Sequence, residues 1–225
     1  MLDAAVRAAA DRTRGSRVTV RTAAGEVPMT VVDLSSETGT LRLAQGRVDA
    51  VRFEAADVAW PGFPVSRLVV SCQDVRFAGP VSTAVSVGSV RVELEVTAEV
   101  ASAVIAAARP GLTVRCAEVL LVSRRPWPGA LELGPSVVDR RALLTPVGVR
   151  LGKRRVRLPA RVRPVAVDLP QLPRGLVLTG VAVTPTGLRL EGGAVDWRDR
   201  LSGMPLLELL SLLANAAATL TVGRI

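Results

Sequence analysis

The sequence predicts an α+β fold built on a long, strongly curved antiparallel β-sheet with one or two helices. Three observations predict it. Valine-rich runs of strand length recur along most of the chain, punctuated by Pro/Gly turns. Two of those runs switch apolar parity part-way, which a flat sheet does not allow. Helical spacing is confined to a few short stretches.

The elements follow in chain order. Leu2 to Arg12 has the spacing of a short amphipathic helix, with Leu2, Val6 and Ala9 on one face. Val18–Arg21 is a short strand, and Ala24-Gly25-Glu26 a turn. Arg47–Trp60 and Ser66–Phe77 form a hairpin through "PGFPV". Val51, Phe53 and Ala55 share one parity in the first strand, and Val58 and Trp60 take the other. Leu68, Val70 and Cys72 share a parity in the second, and Val75 and Phe77 switch. Such switches predict bulges in both partners and a bent sheet.

Ser89–Val96 alternates cleanly, with Val90, Val92, Leu94 and Val96 against Arg91, Glu93 and Glu95. Thr97 is placed to cap a helix that ends before Pro110-Gly111, its apolar face Val100, Ala103, Val104 and Ala107. Leu112–Val122 reads as one strand with a parity switch after Cys116, and "RRPWPG" as a loop. Ala142–Leu151, Val156–Val162, Val165–Leu169, Leu176–Val183 and Gly187–Trp197 follow as strands, with "DLPQLPRG" a proline-punctuated crossing. The turn Thr184-Pro185-Thr186-Gly187 predicts a hairpin, with Gly187 in the left-handed region. Met204 to Leu220 is a helix apolar almost all round, so it needs cover from the sheet, a second copy or a ligand mouth.

Composition limits the chemistry. The chain has 225 residues, enough for a single domain over 1–225 with a sizeable core. Histidine is absent, and no CxxC, GxGxxG or Walker pattern occurs. The commonest general base and metal ligand are therefore missing, and no catalytic residue, metal or cofactor is expected. Cys72 and Cys116 lie in apolar runs and read as buried free thiols. The net charge is +9, and Lys153 is the only lysine. A GC-rich coding bias favours such an arginine excess, yet the charge still attracts anionic partners. No apolar run is long enough to span a bilayer, and the N-terminus has no secretory h-region. A soluble cytoplasmic or membrane-peripheral protein is expected, exported only if a further N-terminal segment precedes Met1.

Three stretches resemble the LmeA-like family of actinobacterial phospholipid-binding proteins. "LPQLPRGLVLTGVAVTPTGLRLEGG", Leu169 to Gly193, matches the family's paired Leu-Pro, Gly-Leu, strand, turn and strand. "LAQGRVDAVRFEAADVAWPGFPVSRLVVSCQDVRF", Leu43 to Phe77, is similar too, with Val48 where the family has an aromatic. "LLTPVGVRLGKRRVRLPA", Leu143 to Ala160, is the third. The resemblance covers about residues 43–197 and leaves the apolar helix at about 204–220 beyond it. It implies a tubular lipid-binding fold: the curved sheet wraps around a helix and leaves an elongated apolar cavity.

The function so implied is non-catalytic binding or transport of a phospholipid or similar long-chain amphiphile, in support of cell-envelope lipid metabolism. Acyl chains gain ~0.8 kcal/mol per buried methylene. Strand parity gives the expected cavity lining as Val51, Phe53, Leu68, Val70, Val90, Val92, Leu94, Val104 and Leu178. Lys153, Arg154, Arg155 and Arg157 are the expected contacts to a head group or an anionic membrane. One alternative is a cyclase-like enzyme pocket, with Glu93, Glu95 or Asp139 as its acid. The other is a basic protein- or nucleic-acid-binding module on the run from Arg150 to Arg163, disfavoured for nucleic acid because no aromatics interleave for base stacking. Trp60, Trp127 and Trp197 read as core or loop packing. Trp60 and Trp127 stand beside Pro/Gly turns, where an indole also suits a membrane interface. The oligomeric state is left open.

Overall fold

The computed structural model describes residues 13–22, 25–38, 42, 46–60, 63–77, 84–108, 111–124, 126–138, 141–159, 162–167 and 176–200. The helices expected over Leu2–Arg12 and Met204–Leu220, and Asp139, lie outside the described residues.

The described chain is mostly antiparallel β-sheet. The first sheet has seven strands: β1 (Arg17–Thr22), β2 (Gly25–Glu37), β3 (Arg47–Trp60), β4 (Phe63–Phe77), β5 (Ala84–Thr97), β12 (Val177–Thr184) and β13 (Gly187–Arg200), in the order β1-β2-β3-β4-β5-β13-β12. The second contains β6 (Leu112–Cys116), β7 (Leu120–Arg124), β8 (Gly129–Val138), β9 (Arg141–Leu151) and β10 (Arg154–Arg157), in the order β10-β9-β8-β7-β6. β11 (Val165–Val167) also pairs with β9. Neither sheet closes into a barrel among the described residues.

The parity switches expected in β3 and β4 are present, but the bulges expected to make them are not, and the one-residue bulge falls instead in β2. In β2 a one-residue bulge between Val31 and Asp33 turns Val32 outward. In β3 and β4 the register is the same on both sides of the switch, so no residue is inserted. Asp57 and Asp74 instead take φ of 50° and 53°. Aspartate tolerates this left-handed conformation better than most residues. Asp196 in β13 does the same at φ 51°. Gly88 of β5 faces the break from between Asp74 and Asp196, and a Cβ there would lie 3.1 Å from Asp74 Cβ. The break therefore runs in line across three neighbouring strands.

Several further expectations change. The segment 112–122 is two strands, β6 and β7, joined by a tight turn in which Ala117 N–H donates to the Val119 carbonyl. The parity switch after Cys116 is that turn. β2 and β8 were not expected as strands, since Pro28 and Gly134-Pro135 interrupt their patterns, although sheet pairing tolerates them. The loop "PGFPV" shrinks to residues 61–62, because Trp60 already pairs with Phe63. β10 ends at Arg157, short of its expected end, while β11 is described over Val165–Val167 and residues 168–169 lie outside the described residues.

Another concerns the helix. α1 (Ala98–Ala108) starts where expected, with Val100 N–H donating to Thr97 Oγ1 at 3.3 Å. Its buried contacts come from Ala101 and Ile105, whereas Ala103 and Ala107 are exposed. The Val104 side chain lies outside the described residues. An alanine-rich helix has little contrast between its faces, so its rotation is set by the surface it meets. α1 packs on β6, and Ile105 joins the core of the second sheet.

The hairpin β12–β13 forms as the Thr-Pro-Thr-Gly turn requires, with Thr184 paired to Gly187. Gly187, however, does not have the positive φ expected of it. It is needed for close approach: a Cβ would fall 1.9 Å from the Val96 carbonyl oxygen. The adjacent Thr186 carbonyl accepts from Ala98 N–H at 2.9 Å. The turn thus seats directly on the start of α1.

Candidate functional site

One face of the first sheet is a continuous apolar surface, built row by row from the pairing register. Leu34, Phe53, Val70, Val92, Gly192 and Leu178 stand side by side across β2, β3, β4, β5, β13 and β12. The next row is Val31, Ala55, Leu68, Leu94, Leu190 and Val181. Val51, Cys72 and Val90 continue on the other side of Phe53. Side chains in one cross-strand row share a face. The register therefore brings Val51, Phe53, Leu68, Val70, Val90, Val92, Leu94 and Leu178 together, as parity within each strand implied. They belong to one core cluster or pack against it, and Ala142 and Val137 from the second sheet join them. Cys72 is a free thiol in this cluster, and burial pushes its pKa up to about 11.

The opposite face is charged. Arg67 lies between Ala56 and Glu95 in its row, and Arg189 follows Glu95. Arg67 Nε donates to Glu54 Oε1 at 2.8 Å, and Arg189 Nη2 to Glu95 Oε1 at 2.9 Å. The Arg67 hydrogen bond holds the Glu54 carboxyl below its ordinary range. Glu93 and Glu95, two of the acids considered for catalysis, stand on this outer face.

The second sheet is built differently. Its apolar row runs Val114, Val122, Leu131, Val149 and Val156 across β6 to β10. The row begins in a core shared with Ile105 of α1 and with Val183 and Leu188 of the first sheet. It ends in the open, where Val156 is 54% exposed. On the same face, Leu151 (45%) and Trp127 (48%) are also exposed. Both close over Gly129, where an added Cβ would meet each at 2.8 Å.

The other face of this sheet holds a buried acid that sequence reasoning missed. Glu132 is wholly buried. Arg150 Nη2 approaches its Oε1 at 3.0 Å and Arg155 Nε donates to its Oε2 at 2.5 Å. Gly148 makes room, since a Cβ there would lie 2.7 Å from Glu132 Oε2. The alternation Leu131-Glu132-Leu133 was a signal that this glutamate sits in a strand. Its partners, 18 and 23 residues away in sequence, were not legible.

This geometry divides the four basic residues expected to act together. All four are exposed. Arg154 pairs with Leu151 on the apolar face, Lys153 stands in the turn, and Arg155 and Arg157 lie on the Glu132 face. Of the tryptophans, Trp60 packs against the first core, Trp127 is exposed, and the Trp197 side chain lies outside the described residues. Among the described residues no group of three or more His, Cys, Asp or Glu could hold a metal ion, and no helix is long and apolar enough to cross a membrane.

A family model described as LmeA-like phospholipid-binding matches residues 16–193. That span runs from just before β1 to the middle of β13 and includes both sheets. No curated protein matches the chain, and no solved structure does.

Proposed function

The chain belongs to the LmeA-like phospholipid-binding family, and from that premise we propose that it is a non-catalytic carrier for a phospholipid or similar long-chain amphiphile. Membership implies lipid binding. The carrier role, and service to cell-envelope lipid metabolism, are our reading. One observation carries it: the apolar rows crossing the first sheet without a charged side chain, from Leu34 to Leu178. Such a face suits acyl chains lying across the strands.

In this reading Val51, Phe53, Leu68, Val70, Val90, Val92, Leu94, Val104 and Leu178 line an elongated apolar cavity, and the curved sheet wraps around helical segments. Lys153, Arg154 and Arg157 meet the head group or an anionic membrane. Arg155 contributes less, because part of its guanidinium serves Glu132. The chemistry needs no catalytic group, metal or cofactor.

Solvent extraction and native mass spectrometry of the purified chain test the proposal. A bound amphiphile of defined mass is expected. Val92→Phe adds bulk on this face at a partly buried position and should lower lipid occupancy while preserving the circular dichroism spectrum. A protein that stays empty after incubation with phosphatidylglycerol vesicles would end the carrier reading.

A further inference from the structure

We propose that Trp127, Leu151 and Val156 form an apolar wedge that inserts into the interface of an anionic bilayer, with Lys153 and Arg154 on its rim. The inference deepens the carrier reading and rests on it for the choice of a bilayer as partner.

Three observations lead to it. First, large apolar side chains are gathered on one face at one end of the second sheet. Trp127 and Leu151 meet over Gly129, and Val156 is on the same face, two residue pairs further along the β9–β10 ladder. Each is about half exposed. An indole beside aliphatics and cations suits the head-group boundary, where its ring is partly buried and its N–H stays wet.

Second, the rim has one sign of charge. Residues 141–159 contain Arg141, Arg150, Lys153, Arg154, Arg155 and Arg157 and no Asp or Glu. Glu132, on the opposite face, is buried and already paired with Arg150 and Arg155. A flat anionic surface complements such a rim. Third, the wedge is continuous with the interior. The row that ends at Val156 passes through Val149 and Leu131 to Val122 and Val114 in the second core. A lipid tail leaving the bilayer at the wedge would meet an apolar path inward.

The Glu132 clamp has a place in this arrangement. By holding Arg150 of β9 and Arg155 of β10 together, it braces the hairpin that carries Leu151 and Val156. Glu132 is thus a positioning residue.

Vesicle co-sedimentation of the full chain provides the test, using phosphatidylcholine vesicles with and without phosphatidylglycerol. A Trp60→Phe, Trp197→Phe background leaves Trp127 as the only indole. On anionic vesicles its emission should shift to the blue and its quenching by aqueous iodide should fall. Lys153→Gln with Arg154→Gln should weaken binding roughly thirtyfold at low salt and remove most of the preference for anionic lipid. Trp127→Ser with Leu151→Ser should cost on the order of tenfold and abolish the binding that survives high salt. Val156→Ser, at an open edge, provides a milder variant if the double one folds poorly.

Unchanged Trp127 quenching with bound vesicles would overturn the proposal. So would high-salt sedimentation unaffected in both serine variants. Concentration-dependent dimerisation through Trp127 without vesicle binding would assign the wedge to a second copy, and retention on nucleic acid alone would assign the rim to phosphates of another kind. Either outcome overturns it. Lipid occupancy measured on the same variants separates the two proposals. An empty protein whose Trp127 still inserts retains the wedge and loses the carrier.

Discussion

The two sheets follow the same alternation rule and finish with different surfaces. In the first, the apolar rows through Phe53 and Leu68 are packed into a core over most of their length, and the reverse face carries the Glu54–Arg67–Glu95–Arg189 network. In the second, the row from Val114 to Val156 is covered at one end and open at the other, and the reverse face hides an acid between two arginines. An apolar row thus becomes core only as far as another element covers it. Beyond that point the same residue types stay exposed.

The widest separation between the sheets should come from truncating one residue in each. Phe53→Ala removes a buried aromatic from the first core and should cost ~3–5 kcal/mol. Val156→Ser at the open end of the second row should stay within about 0.5 kcal/mol. Urea unfolding of both variants measures the difference. Equal losses would mean that the second row is covered after all.

Gly187→Ala tests how the first sheet is seated on α1. The new methyl would fall 1.9 Å from the Val96 carbonyl oxygen and 2.9 Å from the Thr97 backbone. Relief requires moving the hairpin off Thr97, at a cost of roughly 3 kcal/mol. Thermal melting should show the loss, together with weaker amide protection at Ala98, whose N–H donates to the Thr186 carbonyl.

The clamp in the second sheet should respond asymmetrically. Removing Arg150 and Arg155 together leaves Glu132 buried without a counter-charge and should cost about 2 kcal/mol, below the usual range for a broken buried pair because truncation admits water. Glu132→Gln frees two arginines that are already half exposed and should cost less. The opposite ranking in denaturant midpoints would show that the arginines, not the acid, need the contact.

The smallest effect is a pH dependence in the first sheet. The folded-state pKa of Glu54 is depressed, first by its hydrogen bond from Arg67. Its stabilising contribution is therefore complete above its unfolded value, near 4.5, and is lost as pH falls through the lower folded value. Because both partners are partly exposed, solvent screening keeps the gain under ~1 kcal/mol. Arg67→Ala should flatten the acid limb of the stability curve, and added salt should do part of the same.

Side chains alternate along a strand with a period of two, so the residues that share a face within each strand were written in the chain itself. Arg47–Trp60, the Thr184–Gly187 turn, the Thr97 cap and the parity switches at Asp57 and Asp74 were all legible on that basis. Short patterns interrupted by proline or glycine were not, so β2 and β8 escaped notice, and β6 and β7 ran together. Which strands stand beside one another, and what covers each row, came from the assembled fold alone. It placed Phe53 in line with Leu178, 125 residues on, closed Arg150 and Arg155 on Glu132, rotated α1 onto Ala101 and Ile105, and left Trp127, Leu151 and Val156 in the open. The difference is one of range. Alternation and capping act over a few residues and are written locally, whereas burial is a property of whatever arrives on the other side.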